Sequence, residues 1–277
     1  MSRKNVPTGV PLSTLKWEKN VMKLALIFLL FSAHIWARPI VLLGHFDAFG
    51  RGTFNNSERV AKALMEKTKG HPDFDLRLCA LQTVFDKSFF QLEDCMKSLP
   101  DTPALILGLG ESNCNLKIET IVKNLDSTKG PDNDGNERFN SVIIPDADEY
   151  VGLNYPLPQM YCSLSPSERK IIQVSNSAGS FVCNNIAYQF AWNYQETVFG
   201  FIHVPAHFCR GLPEKTQLSV NALEKMIAAA VKETSVRRLP TTKKELKELR
   251  REYQDDQCLY EFYKRSRGID EKGFWRL

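Results

Sequence analysis

The chain has 277 residues, of which 43% are hydrophobic and 25% are charged, and its formal net charge is +4. This composition argues against disordered, collagen-like and coiled-coil proteins and suits one globular domain with additions at its ends. The charge is unevenly distributed along the chain. Residues 1–37 contain five basic residues and one acidic residue, and residues 235–277 contain twelve basic and eight acidic residues. Residues 38–234 contain 19 basic and 23 acidic residues. Because the body is mildly acidic and has no basic stripe with interleaved aromatics, we expect no nucleic-acid partner.

The first predicted element is a leader, residues 1–37, that does not belong to the fold. Residues 22–37 read MKLALIFLLFSAHIWA, in which a lysine precedes a short apolar run and small residues follow. This pattern is typical of a secretory signal peptide, and the run is short for a membrane span. We therefore expect an exported protein, periplasmic or extracellular, that is cleaved after Ala33 or Ala37. An uncleaved membrane anchor and a cytoplasmic location are the alternatives.

The body, residues 38–234, alternates short apolar runs with amphipathic stretches. The predicted strands cover residues 38–44, 75–82, 103–110, 140–145, 169–177 and 197–205. The predicted helices cover residues 55–68, with Asn55 or Asn56 near the N-cap, then 87–99, 180–194 and 219–234. This alternation is typical of an α/β domain with a central, mostly parallel sheet. Ligands of such sheets bind at the carboxyl ends of the strands.

The last segment, residues 235–277, differs in composition from the body. Leucines at positions 246, 249 and 259 stand among many charged residues. This pattern predicts a charged C-terminal helical extension that packs through a narrow apolar stripe. An arm that binds a partner is the alternative.

The chain has seven cysteines, an odd number. They are Cys79, Cys95, Cys114, Cys162, Cys183, Cys209 and Cys258. No CxxC pair and no Cys/His spacing fits a zinc site, so we expect no metal. In an exported protein six of them can pair, which leaves one free thiol, but parity alone does not say which one.

One cysteine lies where a nucleophile would be expected. Cys183 follows the turn-forming SNSAG stretch and lies near the start of the predicted helix 180–194, where the helix N-terminus favours a thiolate. A thiolate nucleophile also needs a histidine and a group that orients the histidine. His203, at the end of FGFIHVP, and Glu119, beyond ALILGLG, are candidates by position. A buried core cysteine and a structurally satisfied histidine are the alternatives.

Six short motifs occur in order along the body. They are GHFDAFGRGTFNNSERVAKAL (44–64), TVFDKS (83–88), GLGESNCNLKIETIVKN (108–124), DNDGN (132–136), SNSAGSFVCN (175–184) and GFIHVP (200–205). In this set and order they resemble the pyroglutamyl-peptidase I family of cysteine peptidases, which remove an N-terminal pyroglutamyl residue from peptides. The last two motifs are the most specific, and the resemblance covers nearly the whole body.

The resemblance implies a single three-layer α/β/α domain and a catalytic triad. In this triad Cys183 attacks the pyroglutamyl carbonyl to give an acyl-enzyme, His203 carries the proton, and Glu119 orients His203. The implied partner is a peptide substrate with an N-terminal pyroglutamate, and no cofactor or metal is implied. Relatives often form homo-oligomers. The resemblance also makes Cys183 the free thiol and leaves the other six cysteines to pair.

The same resemblance names three residues of the substrate pocket. Phe46 and Phe49 match the phenylalanines that hold the flat lactam ring, and Asn55 matches the asparagine of the same loop. An apolar slot suits the lactam, because that ring is small and uncharged. Ordinary core packing is the alternative for the two phenylalanines.

Two stretches depart from the family pattern. Residues 108–113 read GLGESN, where Asn113 replaces the usual arginine and Glu111 adds a charge. After the histidine motif the chain reads AHFCRGLPEK, which adds His207 and Cys209. These departures keep a second function open, a catalytically weak or altered-specificity homologue that binds a blocked peptide N-terminus or a protein partner. The intact candidate triad favours the peptidase.

Overall fold

The computed structural model describes residues 38–50, 52–128, 130–233 and 242–265. The predicted leader lies outside these residues, so the signal peptide stays a prediction. None of the helices in the described ranges is long and apolar enough to cross a membrane.

Within the described residues, eight strands form a central sheet and a small ribbon. In chain order they are β1 (Ile40–Phe46), β2 (Asp75–Leu81), β3 (Leu105–Glu111), β4 (Leu116–Glu119), β5 (Ile121–Lys123), β6 (Tyr150–Gly152), β7 (Ile172–Ser175) and β8 (Phe199–Val204). The sheet has the order β2-β1-β3-β8-β4-β7, and β5 pairs with β6. Only β4 and β8 pair antiparallel within the six-stranded sheet. The predicted mostly parallel sheet is therefore confirmed.

The described helices number eight. They are α1 (Asn56–Lys67), α2 (Lys87–Lys97), α3 (Leu157–Cys162), α4 (Pro166–Ile171), α5 (Val182–Asn193), α6 (Leu212–Ala230), α7 (Lys243–Glu252) and α8 (Gln257–Arg265). Every residue of β1, β3 and β8 is buried. Because consecutive residues of a strand point to opposite faces, both faces of the sheet are covered. This arrangement confirms the three-layer α/β/α fold.

The start of α1 follows the sequence prediction. Asn55 is the N-cap, and its side chain accepts a hydrogen bond from the backbone N–H of Ser57. Glu58 lies in the first turn and Lys67 in the last, where each charge complements the helix dipole. The cap matters for function, because it fixes the loop that leads from β1 into α1.

The strand predicted at 140–145 is wrong. This segment is bent, and Val142 is 59% exposed. The side-chain oxygen of Asn124 accepts hydrogen bonds from the backbone N–H groups of Ile143 and Ile144, and its amide donates to the carbonyl of Ile144. One side chain therefore satisfies the backbone groups that a neighbouring strand would otherwise have paired.

Two further boundaries differ from the prediction. The strand predicted at 169–177 begins only at Ile172, because a capping box of Ser165 and Glu168 starts α4 upstream of it. The helix predicted at 219–234 begins earlier, at Leu212. The short strands β4, β5 and β6 were not predicted at all, because they contain only three or four residues each.

The C-terminal extension packs on the body as two helices, α7 and α8. Leu246, Phe262 and Tyr263 are buried, and the ring of Phe262 lies 5.5 Å from the ring of Tyr161 in α3. Most of the described charged residues of α7 are exposed around this apolar stripe, whereas Arg250 is half-buried and its Nε donates to the backbone carbonyl of Tyr263. A disulfide between α3 and α8 fixes the packing.

The described residues include all seven cysteines, and six of them are paired. The disulfides are Cys79–Cys95, Cys114–Cys209 and Cys162–Cys258. Cys183 is the free cysteine. The structure thus leaves free the cysteine that the resemblance singles out as the nucleophile.

Candidate active site

The position of Cys183 is set by a turn and a helix start. Gly179 has a φ of 85°, a conformation that L side chains rarely adopt, so glycine permits the turn that precedes the helix. Cys183 is the second residue of α5, and Phe181 is the N-cap without a side-chain hydrogen bond. The positive end of the helix dipole therefore lies beside the sulfur.

Two asparagines after the cysteine anchor this helix start. The buried side chain of Asn184 donates to the backbone carbonyls of Lys123 and Leu125 and accepts from the N–H of Lys123. Asn185 donates to the carboxylate of Asp126. These hydrogen bonds fix the first turn of α5 on the segment that follows β5. Neither role was predicted, although the two asparagines directly follow the cysteine.

Beside Asn185 lies a charged cluster in which Asp126 is buried and Arg138 and Asp86 are half-buried. Arg138 makes ion pairs with Asp126, at 2.7 Å, and with Asp86, at 2.5 Å. Burial raises the pKa of Asp126 to about 6, although the hydrogen bonds from Arg138 and Asn185 act in the opposite direction. The cluster holds α5 through the side chain of Asn185, and no local sequence pattern predicts it.

The histidine and the glutamate come from two adjacent strands. His203 lies in β8 and Glu119 ends β4, which runs antiparallel to β8. Both side chains are buried, and Nδ1 of His203 donates to Oε1 of Glu119 at 2.8 Å. The hydroxyl of Tyr155 donates to the backbone carbonyl of Glu119 at 2.6 Å. Glu119 is thus held in place from its backbone as well as its carboxylate.

The environment of His203 favours its charged form. Burial lowers the pKa of this imidazole, but hydrogen bonds with Cys183 and Glu119 and the charges of both groups outweigh burial and raise the pKa to about 10. The imidazole is therefore protonated at neutral pH and lies between the sulfur of Cys183 and the carboxylate of Glu119.

Gly110 provides the space in which Cys183 and His203 meet. A Cβ at position 110 would lie 2.7 Å from Sγ of Cys183 and 3.2 Å from Nε2 of His203. The first distance is shorter than real Cβ contacts and the second is tighter than most, so any side chain at this position of β3 would displace the sulfur and the imidazole. The same measurements place the sulfur and Nε2 on one side of β3, within reach of a common substrate atom.

A pocket of about 190 Å³ opens beside the sulfur. Phe46, Phe49 and Asn55 line it together with Cys183 and His203. The structure therefore brings together all of the predicted pocket residues and two members of the predicted triad. A larger groove of about 550 Å³ lies elsewhere, between α4, α6 and the edge of the sheet, and contains none of these residues. The chemistry points to the smaller pocket.

Each predicted pocket residue has a distinct structural role. Phe46 is buried and also packs 6.5 Å from the ring of Phe201, so it serves the core and the pocket at once. Phe49 is half-buried and lies 6.0 Å from the ring of Phe181. Asn55 donates to the backbone carbonyl of Asp47 and thereby closes the loop that carries Phe49. Phe181 also lines the pocket and was missed, although it stands inside the SNSAGSFVCN motif.

The two departures from the family pattern meet each other in space. Glu111, at the end of β3, accepts a hydrogen bond from Nδ1 of His207 at 2.5 Å and from the backbone N–H of His207 at 3.2 Å. Its carboxylate also accepts from the backbone N–H of Asn56 at 2.7 Å. The disulfide Cys114–Cys209 joins the same two segments a few residues further along. The charge that Glu111 adds is therefore matched by a histidine that the other departure supplies.

The arrangement as a whole can support acyl transfer. A thiol at a helix N-terminus, a protonated imidazole beside it and a carboxylate behind the imidazole are the three groups of a nucleophilic hydrolase. The adjoining pocket is small and largely apolar, which suits a compact uncharged acyl group.

Comparison with known proteins identifies the relatives of this chain. The family model described as pyroglutamyl peptidase matches residues 40–238. The pyrrolidone-carboxylate peptidase of Staphylococcus carnosus is 29% identical over 197 residues, which cover 69% of this chain and 91% of that protein. The enzyme of the same name from Thermosipho africanus is 31% identical over 175 residues, covering 60% and 80%.

Solved structures agree with the sequence comparison. Pyroglutamyl peptidase I of Bacillus amyloliquefaciens superposes with a TM-score of 0.60 at 25% identity, covering 71% of this chain and 98% of that chain. A mutant pyrrolidone carboxyl peptidase of Pyrococcus furiosus superposes with a TM-score of 0.59 at 25% identity, covering 71% and 100%.

Proposed function

Because the chain belongs to the pyroglutamyl peptidase family, we propose that it is a cysteine peptidase that removes an N-terminal pyroglutamyl residue from peptides. The observation that carries this proposal is the contact of the free thiol of Cys183 with His203, whose other ring nitrogen donates to Glu119. A protein that only binds peptides has no need of all three groups in this arrangement, so the binding alternative is not favoured.

The first half of the proposed reaction is acylation. The thiolate of Cys183 attacks the carbonyl carbon of the pyroglutamyl residue and forms a tetrahedral intermediate. Backbone N–H groups at the positive end of α5 stabilise its oxyanion in this proposal. His203 then donates its proton to the leaving amine, the C–N bond breaks, and a thioester to Cys183 remains. Glu119 keeps the imidazole oriented while its charge changes.

The second half is deacylation. Neutral His203 takes a proton from water, and the resulting hydroxide attacks the thioester carbonyl. The C–S bond breaks, free pyroglutamate leaves, and the thiolate–imidazolium pair is restored. Phe46 and Phe49 form the apolar walls against which the lactam ring lies in both steps.

The disulfides make one experiment unusually selective. Because the other six cysteines are paired, iodoacetamide without reductant should alkylate Cys183 alone. We expect release of a fluorophore from a pyroglutamyl amide before treatment, incorporation of one carbamidomethyl group per chain by mass spectrometry, and complete loss of turnover. A Cys183→Ala protein should be inactive and should incorporate no label.

Two outcomes would contradict the proposal. The first is turnover that survives full alkylation of Cys183. The second is no turnover of the amide by protein whose Cys183 is shown to be free and reactive, while its fold is intact by circular dichroism.

We also propose that the protein is exported to an oxidising compartment. Three disulfides are typical of exported proteins, and the predicted signal peptide at residues 22–37 would direct export. The test is N-terminal sequencing of the protein recovered from a secreting host. Cleavage after Ala33 or Ala37 supports export, whereas an intact leader with all seven thiols reduced in the cytoplasm overturns it.

A further inference from the structure

Three aromatic side chains form a continuous surface beside the pocket, which we call the aromatic shelf. It consists of Phe54, His207 and Phe208. The ring of His207 lies 5.8 Å from that of Phe54 and 5.4 Å from that of Phe208, with edge-to-face geometry in both pairs. Phe208 is 71% exposed, the highest value among the exposed large hydrophobic residues of the described chain.

The shelf is fixed to the rim of the pocket. Glu111 lines the pocket and holds His207 through two hydrogen bonds, one from the ring and one from the backbone. Phe54 directly precedes Asn55, which also lines the pocket. The guanidinium of Arg59 lies 3.3 Å from the centre of the Phe54 ring and holds it from the other side. The shelf is therefore a continuation of the pocket wall in which Phe54 and His207 are held in place and Phe208 packs against His207.

The position of the shelf matches the path of a peptide substrate. A pocket of about 190 Å³ accommodates the pyroglutamyl ring and little more, so the rest of the peptide must leave across the rim. His203, which protonates the leaving amine in the proposed reaction, lies near the end of β8, and the turn that follows β8 carries His207 and Phe208. The residue that begins the leaving peptide therefore emerges on the side of the shelf.

We infer that the aromatic shelf is a specificity surface that binds the side chain of the residue after pyroglutamate and favours an aromatic side chain there. This inference rests on the proposed function. Two aromatic rings that stack or meet edge to face attract each other more than a ring attracts an aliphatic group of similar area. A ring that is already held by a neighbouring ring also loses little conformational entropy when a ligand binds to it. Glu111 and His207 act as positioning residues, since they hold Phe208 at the rim.

The test compares two substrates and one matched control variant. Pyroglutamyl-phenylalanine amide and pyroglutamyl-alanine amide are assayed with the full-length, disulfide-intact protein. We expect kcat/KM to be about fivefold higher for the phenylalanine substrate, with the ratio falling to about one in Phe208→Ala. Phe208→Tyr should retain the preference. Phe139→Ala is the control, because Phe139 is 67% exposed but lies outside the pocket lining, and it should leave the ratio unchanged.

Binding to a Cys183→Ala protein separates failure of the inference from failure of the proposed function. Dissociation constants of the two dipeptide amides, measured by calorimetry with and without Phe208→Ala, need no turnover. Tighter binding of the phenylalanine amide that is lost in Phe208→Ala supports the shelf, whether or not the native protein turns over either substrate. Absence of turnover by the native protein would overturn only the peptidase function. An equal substrate ratio in the native protein and in Phe208→Ala, both in turnover and in binding, overturns the shelf.

Discussion

Two histidine–glutamate pairs, His203–Glu119 and His207–Glu111, lie close together near the carboxyl end of β8. Only the first of them lies beside the free thiol of Cys183. His203 and Glu119 are both buried, with 5% and 0% of their side chains exposed. His207 is 27% exposed, although its partner Glu111 is buried at 2%. The two pairs use the same atoms, an imidazole Nδ1 and a carboxylate Oε1, at 2.8 and 2.5 Å respectively.

The difference between the pairs lies in what else each carboxylate binds. Glu111 also accepts from the backbone N–H groups of Asn56 and His207, so its charge is shared among three donors. Among the described residues, Oε2 of Glu119 has no hydrogen-bond partner, so its carboxylate acts chiefly on His203. A carboxylate that many backbone groups satisfy stabilises a loop, whereas one with a single polar partner controls the charge of that partner.

The largest expected difference concerns the two histidines. His203→Ala removes the proton carrier, so we expect kcat/KM for a pyroglutamyl amide to fall by about 10³-fold. His207→Ala should lower it by less than about tenfold, because it perturbs only the rim. Steady-state assays of both variants make the comparison, and equal losses would show that the second pair also takes part in the chemistry.

The next largest effect is expected on the free energy of unfolding, from the disulfide Cys114–Cys209 close to the His207–Glu111 pair. Replacing Cys114 and Cys209 by serine opens a loop of sequence separation 95, so we expect the free energy of unfolding to fall by about 4 kcal/mol. The matched control replaces Cys79 and Cys95, whose separation is 16, and should cost about 3 kcal/mol. Urea denaturation without reductant measures both. A smaller loss for the long loop than for the short one would contradict this account.

The two glutamates should differ in their effect on the pH profile. Glu119→Gln removes a negative charge from His203, so we expect kcat to fall on the order of 10²-fold and the alkaline limb of activity to move to lower pH. The direction follows from the raised pKa of His203, about 10, since the imidazolium is lost only as pH rises through that value and a missing anion lowers it. The measurement is kcat/KM against pH, and an unmoved alkaline limb would argue against the role of Glu119.

The smallest expected effect is on stability alone. Glu111→Gln deprives three donors of a charged acceptor, so we expect a loss of about 2 kcal/mol in the free energy of unfolding. The alkaline limb of the pH–activity profile of Glu111→Gln should lie closer to that of the native protein than the alkaline limb of Glu119→Gln does. Urea midpoints and pH profiles of the two variants, measured side by side, test whether the pairs are as distinct as their contacts suggest.

The parts of the molecule that the sequence predicts are those that local pattern determines. Cys183 follows a turn at a helix start, and His203 and Glu119 lie at strand ends, so a short motif carries each position. The N-cap at Asn55 is local in the same sense, because its hydrogen bond reaches only two residues ahead.

The parts that the sequence does not predict depend on contacts between distant residues. His207 and Glu111 are 96 residues apart, and each looks like a separate departure until the fold joins them. The wrong strand at 140–145 has the same origin, since the side chain of Asn124, about twenty residues upstream, replaces the partner strand. The choice of partner for each cysteine is likewise a property of the fold, and only the count is visible in the sequence.

The disulfides Cys114–Cys209 and Cys162–Cys258 interleave along the chain, and this order has a consequence for biosynthesis. During synthesis from the N-terminus, Cys114 and Cys162 both emerge before their partners, and Cys183 emerges while both still wait. The free thiol is thus one of the wrong partners that either of them can meet before Cys209 and Cys258 emerge. Packing of α5 against Gly110 places Cys183 beside His203, so folding of this part of the body would separate the nucleophile from the two waiting cysteines before the last pair closes.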